Sequence, residues 1–470
     1  MSSMSDNPRV IYFIATVSGV SGLLFGYDNG IIGSAMLYIS RRFELSPFQQ
    51  AMVTSMILVG AIVGALAGGA LSSRFGRRRI VVMVALVFAV GAVAAALAPN
   101  AEALALSRFV LGLSVGGASS TVPVYVAELA PPRIRGTLTV LFELMVGVGV
   151  LSAYLVGFVL AGEGWRWMFG IATVPAVFLL VGMFFLPESP RWLVGKGRPG
   201  EARDVLRRVR PRSADVDREV AEIEEVDRRR SAGGWRLVCG SWARPAMVVA
   251  LGIAMFSQVT GVNAIVYYAP TILTAAGFDD SGALLAGVGV GLAVLVGSIV
   301  GTALVDRVGR RRLLLTMMPA SAACMTILAC TFFAHDISGA AAWVVVVSML
   351  AFVVFNAGSI QIALWLVGPE VFPLRIRGTA TSASTGAAWG FNLLVSLTAL
   401  SAIDTLGRPA TFLTYAAMNV ACCVFVYLWV PETAGRTLEE VESALNKGRR
   451  FRDNLAEVAR MRTIGEPHQP

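Results

Sequence analysis

Apolar residues in this chain gather into twelve runs of about 20 residues or more, and that feature leaves few folds open. The runs lie at roughly 10–37, 48–72, 79–98, 103–126, 137–161 and 166–187, then 245–274, 283–304, 313–333, 342–371, 378–402 and 409–430. A helix rises about 1.5 Å per residue, so about 20 such residues cross the bilayer's roughly 30 Å hydrocarbon core. With 56% hydrophobic and 15% charged residues, the chain is too apolar for a soluble globule. The pattern predicts an all-α membrane protein of twelve transmembrane helices in two sets of six. The first run follows only Arg9, exceeds a signal-peptide core and lacks a small-residue cleavage site, so it reads as a retained span.

The expected organisation is a six-helix unit over 1–187, a polar linker over 188–244, a second six-helix unit over 245–430 and a tail over 431–470. In the linker, Ala202, Val205, Leu206 and Val209, then Val216, Val220 and Ile223, recur at helical spacing and predict short amphipathic helices. After the last span, Thr437-Leu-Glu-Glu440 reads as a capping box. It would open a helix whose Leu438, Val441 and Leu445 share one face, suited to docking on the linker helices. Residues from about 463 read as disordered.

The net charge of +9 invites a nucleic-acid reading, which its distribution rejects. The N-terminus, the loops after even spans and the tail carry 34 of the 39 Lys and Arg. Loops after odd spans carry only Arg41, Arg42, Arg166 and Arg408, so both termini are expected on the cytoplasmic side. Arginine outnumbers lysine 37 to 2, as in GC-rich bacteria, which points to a bacterial cytoplasmic membrane. Of the five Cys, Cys239 is in the linker and Cys324, Cys330, Cys422 and Cys423 are in spans, so no disulfide framework is expected. The two His, His335 and His468, fall outside the spans, leaving no material for a His/Cys metal site. No cofactor is implied.

The two halves repeat. Gly68 to Arg79 matches Gly301 to Arg312 at an offset of 233. Glu128 to Thr137 matches Glu370 to Thr379 at 242, and Pro187-Glu188 matches Pro431-Glu432 at 244. Three matched pairs in order mean a duplicated six-helix unit, with a cavity expected between the halves near the midplane, an arrangement that supports alternating access.

One acid interrupts the first span. Asp28 lies in Ser18-Gly-Val-Ser-Gly-Leu-Leu-Phe-Gly-Tyr-Asp-Asn-Gly-Ile-Ile-Gly33, where Gly22, Gly26 and Gly30 form a seam that a second helix can approach closely. Asp28 falls about 200° round the helix from Gly26, away from that seam. A charge at this depth costs about 3 kcal/mol or more, so an intramembrane Asp is a functional candidate by default. Arg108, the one basic residue inside a span, sits at a depth comparable to within roughly 6 Å. The two can pair. A carboxylate alternately paired and exposed takes up and releases a proton in step with a conformational change, whereas a static structural ion pair does neither.

These residues resemble the sugar porter family of the major facilitator superfamily over essentially the whole chain. The marks are Arg74-Phe-Gly-Arg-Arg, Asp306-Arg-Val-Gly-Arg-Arg and the Glu and Arg-Gly pairs after spans four and ten. They continue with Pro187-Glu-Ser-Pro-Arg-Trp192, Gln258-Val-Thr-Gly-Val-Asn263-Ala-Ile-Val-Tyr267-Tyr268 and Pro431-Glu-Thr433. The resemblance implies that Gln258, Asn263, Tyr267 and Trp365 line a sugar site, with Asp28 and Arg108 in proton coupling. Sugar hydroxyls need dense donors and acceptors beside a flat apolar face, and Phe25, Gln361, Trp389 and Asn392 complete the candidate binding set. Gln258, Asn263 and Tyr267, five and four residues apart, are read as one polar face of a helix; Gln258 and Asn263 can equally be interhelical glue. For Trp389 simple packing is the rival.

Several positions depart from the family pattern. Ser257 stands where a first glutamine is common, and Val150 and Glu143 stand at glutamine positions of span five. Glu143 is read as an acceptor for sugar hydroxyls or a second protonatable group, the rival being a hydrated cavity-lining acid with neither role. Span ten reads Gln361-Ile-Ala-Leu-Trp365 without the proline that normally breaks it. The resemblance also implies a cytoplasmic gate in which Arg74, Arg135, Arg307 and Arg377 pair with Glu128, Glu188, Glu370 and Glu432 across the halves. The rival is that these arginines only set topology. An exposed pair contributes about 0–1 kcal/mol, so only a network can bias the states.

The expected activity is proton-coupled import of a monosaccharide, a glucose-like hexose first, by alternating access, with sugar, proton and lipid as partners and one chain sufficient. The alternative is a facilitative carrier of sugar or of a polyol such as inositol. A drug exporter would have a more apolar span seven, a sugar sensor a longer tail, and an enzyme a nucleophile or His/Cys constellation.

Overall fold

The computed structural model describes residues 8–434 except 131–134, 162–163, 211–214, 229–234, 239, 275, 335–338 and 373–375, and after 434 only 441, 443–445, 451–455 and 457. Cys239, His335, His468, the Thr437–Glu440 capping box with Leu438, and the tail from 463 therefore lie outside the described residues. So do the side chains of Arg135 and Arg377. The chain divides into two compact units, Met1–Ser231 and Ala232–Pro470.

In the first unit the spans are α1 (Pro8–Arg42), α2 (Pro47–Phe75), α3 (Arg77–Ala96), α4 (Ala101–Leu129) and α5 (Arg135–Val159), with span six split into α6 (Trp165–Gly170) and α7 (Thr173–Met183). Three short helices follow: α8 (Pro190–Gly195), α9 (Pro199–Val209) and α10 (Val216–Arg228). Their starts obey local chemistry. Ser46 caps α2 in a full capping box with Gln49, Pro47 takes the first turn, and Asn100 caps α4 through the Ala103 amide at 2.9 Å. The helices α9 and α10 are the amphipathic pair expected in the linker. Arg210 ties them to the spans, donating to the Leu129 carbonyl at 2.8 Å and pairing with Glu219 at 2.7 Å.

Glycine seams bring the long helices backbone to backbone. A Cβ at Gly22, Gly26 or Gly30 would meet Phe142, Val146, Val150 or Ala153, so the seam read from sequence belongs to the parallel pair α1 and α5. Gly60 and Gly64 of α2 do the same against α4, whose Gly112 and Gly116 meet Ile57 and Ala61. With no hydrophobic driving force between helices in lipid, this close packing supplies the cohesion.

In the second unit α11 (Trp235–Val238) precedes span seven, which is broken into α12 (Arg244–Val259) and α13 (Val262–Thr274). Then come α14 (Asp280–Val308) and α15 (Arg310–Thr331). Span ten is built of α16 (Ala340–Asn356), a π-helical turn (Ala357–Gln361) and α17 (Ile362–Val371), and α18 (Arg377–Leu406) and α19 (Arg408–Trp429) complete the unit. Eleven spans among the described residues are long and apolar enough to cross a membrane. The 35-residue α1 (Pro8–Arg42) covers the first apolar run.

Both breaks correct the sequence reading. Span seven is not one continuous helix, because Gly261 adopts φ +96°, a left-handed conformation that ends α12. Span ten lacks the breaking proline, yet it departs from α geometry through the π turn, whose Gly358 packs on Gly297 and Gly301 of α14. Val441, Ala444, Leu445, Phe451 and Leu455 are buried in the core of the second unit with Val249, Val367 and Phe372, and Leu237 and Val238 of α11 pack with them. Within the second unit the described tail residues thus pack on spans seven and ten and on α11.

Candidate functional site

Each unit carries its own candidate centre. In the first, Asp28 on α1 and Arg108 on α4 are 3% and 1% exposed, with Arg108 Nη1 3.7 Å from Asp28 Oδ1. The guanidinium is docked on the neighbouring helix, where Nε donates to the Val53 carbonyl at 2.9 Å and Nη2 to that of Thr54 at 3.3 Å. Its carbon also lies 6.0 Å from the Phe169 ring. Asp28 Oδ2 and Arg108 Nη1 are buried without a hydrogen-bond partner among the described residues. A buried ion pair that only braces a fold usually satisfies such atoms, since stranded charge is costly. This one keeps capacity in reserve. Beside it, Tyr27 donates to the Met168 carbonyl at 2.6 Å and fixes α1 against span six.

Glu143 is half-buried on α5. Its neighbours Phe142 and Val146 form the contact with α1, so it stands about 100° round the helix from that contact. Phe25 is half-buried on α1, between Gly22 and Asp28.

In the second unit the candidate sugar residues converge because span seven is broken. Asn263 Nδ2 donates to Gln258 Oε1 at 2.5 Å, across the gap between α12 and α13. Gln258 Nε2 donates to Ser257 Oγ at 2.9 Å, and that hydroxyl gives its own proton to the Ala254 carbonyl at 2.9 Å. This sequence of donors sets the orientation of the Gln258 amide and uses one donor of Asn263. Gln361, the last residue of the π turn, donates to the Ser257 carbonyl at 2.5 Å. Tyr267 meets Asn392, whose Nδ2 lies 3.1 Å from the phenolic oxygen. Trp365 is half-buried beside a small cleft bordered by Thr381, Ser384 and Thr385. Trp389 is buried to the same degree as Gln258, Tyr267 and Asn392.

Within each unit the described acids at the helix ends have these partners; the pairing of Arg135 and Arg377 lies outside the described residues. Glu128 pairs with Arg77 at 3.2 Å and accepts from Ser189 Oγ. Its counterpart Glu370 pairs with Arg310 at 3.0 Å and accepts from Thr433 Oγ1 at 2.5 Å. Arg74 and Arg307 are exposed, Arg74 with its guanidinium 5.2 Å from the Phe75 ring. Glu188 and Glu432 act on backbone. Glu188 accepts from the amides of Arg77, Arg78 and Ser189 at 2.9–3.0 Å, and Glu432 from those of Arg310 and Arg311 at 2.9 and 3.1 Å. Each carboxylate therefore sits on the positive N-terminus of α3 or α15. Gly76 and Gly309, at φ +109° and +94°, leave it room, since a Cβ there would strike the carboxylate.

Sequence reasoning missed Arg77 and Arg310 although a signal was present: both follow the turn glycine in the repeated motif, 233 residues apart. It had no means of finding the Val53 and Thr54 carbonyls, because a backbone acceptor leaves no mark in residue type.

The family described as "Sugar (and other) transporter" matches residues 14–445. Among curated relatives, a glucose transporter of Staphylococcus epidermidis is 38% identical over 437 residues, covering 93% of this chain and 97% of the relative. The galactose-proton symporter of Escherichia coli is 37% identical over 450 residues, covering 95% and 97%. The solved structure of a major facilitator superfamily proton:xylose symporter bound to 6-bromo-6-deoxy-D-glucose is similar with a TM-score of 0.79 and 29% identity. It covers 94% of this chain and 100% of that one.

Proposed function

The chain belongs to the sugar transporter family, and from that premise we propose that it is a proton-coupled monosaccharide symporter working by alternating access. Relatives that carry glucose, galactose with a proton, and xylose with a proton support the reading. It is a carrier and not an enzyme. A glucose-like hexose is the first substrate to test.

The observation that carries the coupling is the buried Asp28–Arg108 pair with its unused hydrogen-bonding atoms. At about 4 Å such charges attract by roughly 4 kcal/mol in an effective dielectric of about 20. A proton arriving on Asp28 abolishes that attraction. Arg108 stays docked on α2, so the contact that opens is the one to α1, and release of the proton restores it. In the second unit Gln258, Asn263 and Gln361 supply the hydroxyl partners, Tyr267 and Asn392 extend the polar lining, and Trp365 supplies the stacking face. Glu143 is a separate candidate in the first unit, as a hydroxyl acceptor or a proton site. We assign the protein to a bacterial cytoplasmic membrane with both termini inside, on the distribution of arginines, and take one chain as the transport unit.

Uptake into proteoliposomes tests the reading. An imposed inward proton gradient drives accumulation of D-glucose, D-galactose or D-xylose, and a protonophore collapses it. Equal uptake with and without the gradient leaves a facilitative carrier. Preference for inositol over every hexose and pentose moves the substrate to polyols.

A further inference from the structure

A helix interrupted at membrane depth leaves carbonyls that water cannot reach, and these must be met from within the protein. The break between α12 and α13 is met by three side-chain amides. Gln361 reaches the Ser257 carbonyl at 2.5 Å, Asn419 Nδ2 on α19 reaches the Thr260 carbonyl at 3.0 Å, and Asn356 Nδ2 reaches Thr260 Oγ1 at 3.0 Å. Asn356 and Gln361 bracket the π turn of span ten, and they are linked to each other because Asn356 Oδ1 accepts from Gln361 Nε2 at 3.3 Å.

Asn419 is saturated. Its Oδ1 accepts from Ser321 at 2.9 Å, and its Nδ2 donates also to the Tyr415 carbonyl at 2.8 Å. Asn356, Asn419 and Thr260 are each 0% exposed, so none of them can touch a sugar. Yet bonds link these residues one to the next from Asn419 through Thr260, Asn356, Gln361 and Ser257 to Gln258 and Asn263, passing from carbonyl to hydroxyl within Thr260 and within Ser257.

We infer that Asn356, acting through Thr260 and Gln361, is a positioning residue for substrate recognition: it couples the π turn of span ten to the break in span seven and thereby holds the Gln258 and Asn263 amides in the orientation that binds sugar hydroxyls. The inference rests on the sugar-carrier reading. Chemistry supports the direction of the effect. A flipped or tilted amide presents a donor where an acceptor is needed, and a site built to bond hydroxyls loses its discrimination when its own partners wander. Two breaks held by one side chain also keep spans seven and ten in a common register, which neither glycine nor a π turn enforces alone.

The test is counterflow in proteoliposomes with whichever of D-glucose, D-galactose and D-xylose the wild type carries best, together with its deoxy analogues. Asn356→Ala and the near-isosteric Thr260→Val are expected to raise KM about tenfold with maximal rate within twofold, and to narrow the preference for the parent sugar over its deoxy analogues. Thr260→Ser, which keeps the hydroxyl, restores KM and preference. Thr260→Val guards against a folding defect in Asn356→Ala, and unfolding temperature is followed for each. Unchanged KM and selectivity in both variants overturn the inference, as does a fall in maximal rate at constant KM, or a Thr260→Ser that behaves as Thr260→Val. A wild type that carries no monosaccharide at all overturns the sugar reading itself, and so is told apart from failure of the positioning role.

Discussion

Arg108 grips α2 and faces α1 at once: Nε and Nη2 donate to the Val53 and Thr54 carbonyls at 2.9 and 3.3 Å, while Nη1 stands 3.7 Å from Asp28 Oδ1. The first contact is neutral and independent of protonation. The second vanishes when Asp28 takes a proton. Asp28→Asn should therefore abolish gradient-driven accumulation while leaving sugar exchange across the membrane. Accumulation equal to wild type in that variant would remove Asp28 from the coupling step.

Removing the cation strands the anion. Arg108→Gln should cost about 3–5 kcal/mol of stability, because an uncompensated buried charge remains at Asp28. Adding Asp28→Asn to Arg108→Gln should recover most of the loss, since no charge is then left to strand. Unfolding midpoints in detergent for the two single variants and the double variant check the cycle.

The α1–α5 seam makes a size prediction. Gly26→Ala puts a methyl group into the Val146 backbone and should destabilise the first unit and lower transport. Gly69→Ala on α2 meets nothing within 4 Å and should be neutral or stabilising by about 0.5–1 kcal/mol. Thermal unfolding of the pair separates a steric effect from a general intolerance of alanine.

Glu143 is half-buried on α5, away from the contact with α1. As an acceptor for sugar hydroxyls it should tolerate Glu143→Gln with KM within about threefold, while Glu143→Ala raises KM at least about tenfold, the scale of a lost hydrogen bond to substrate. Proton-to-sugar stoichiometry should be unchanged in Glu143→Gln. A changed stoichiometry assigns Glu143 to proton transfer instead.

Glu188 and Glu432 cap helices, so their loss should be read in stability. Glu432→Ala removes an anion from the N-terminus of α15 and strands the Arg310 and Arg311 amides. The expected cost is about 1.5–3 kcal/mol, from lost hydrogen bonds to a charged group. An unfolding midpoint unchanged from wild type would mean that solvent replaces the carboxylate.

Much of the architecture could be read from residue order. The spans follow from apolar runs that must match a bilayer. The duplication follows from Gly68–Arg79 and Gly301–Arg312 standing in register. Asp28 and Arg108 announced themselves because a charge at depth has few innocent explanations, and the Gly22-Gly26-Gly30 seam because spacing places three missing side chains on one face. The site in the second unit was legible only as a set of residue types. Gln258 and Asn263 were read as one face of a continuous helix, yet they meet because Gly261 ends α12 and restarts the chain on a new axis.

Order along the chain thus settled where the apolar spans run, where the charges lie and which residue types are available to bind hydroxyls, because hydropathy and periodicity are local properties. Folding decided the partners. That Arg108 is held by two carbonyls, that Arg77 and not Arg74 meets Glu128, and that Asn356 reaches Thr260 across 96 residues all depend on backbone positions. A carbonyl is identical at every residue, so only the packing of one helix against another can say which carbonyl a given side chain will find.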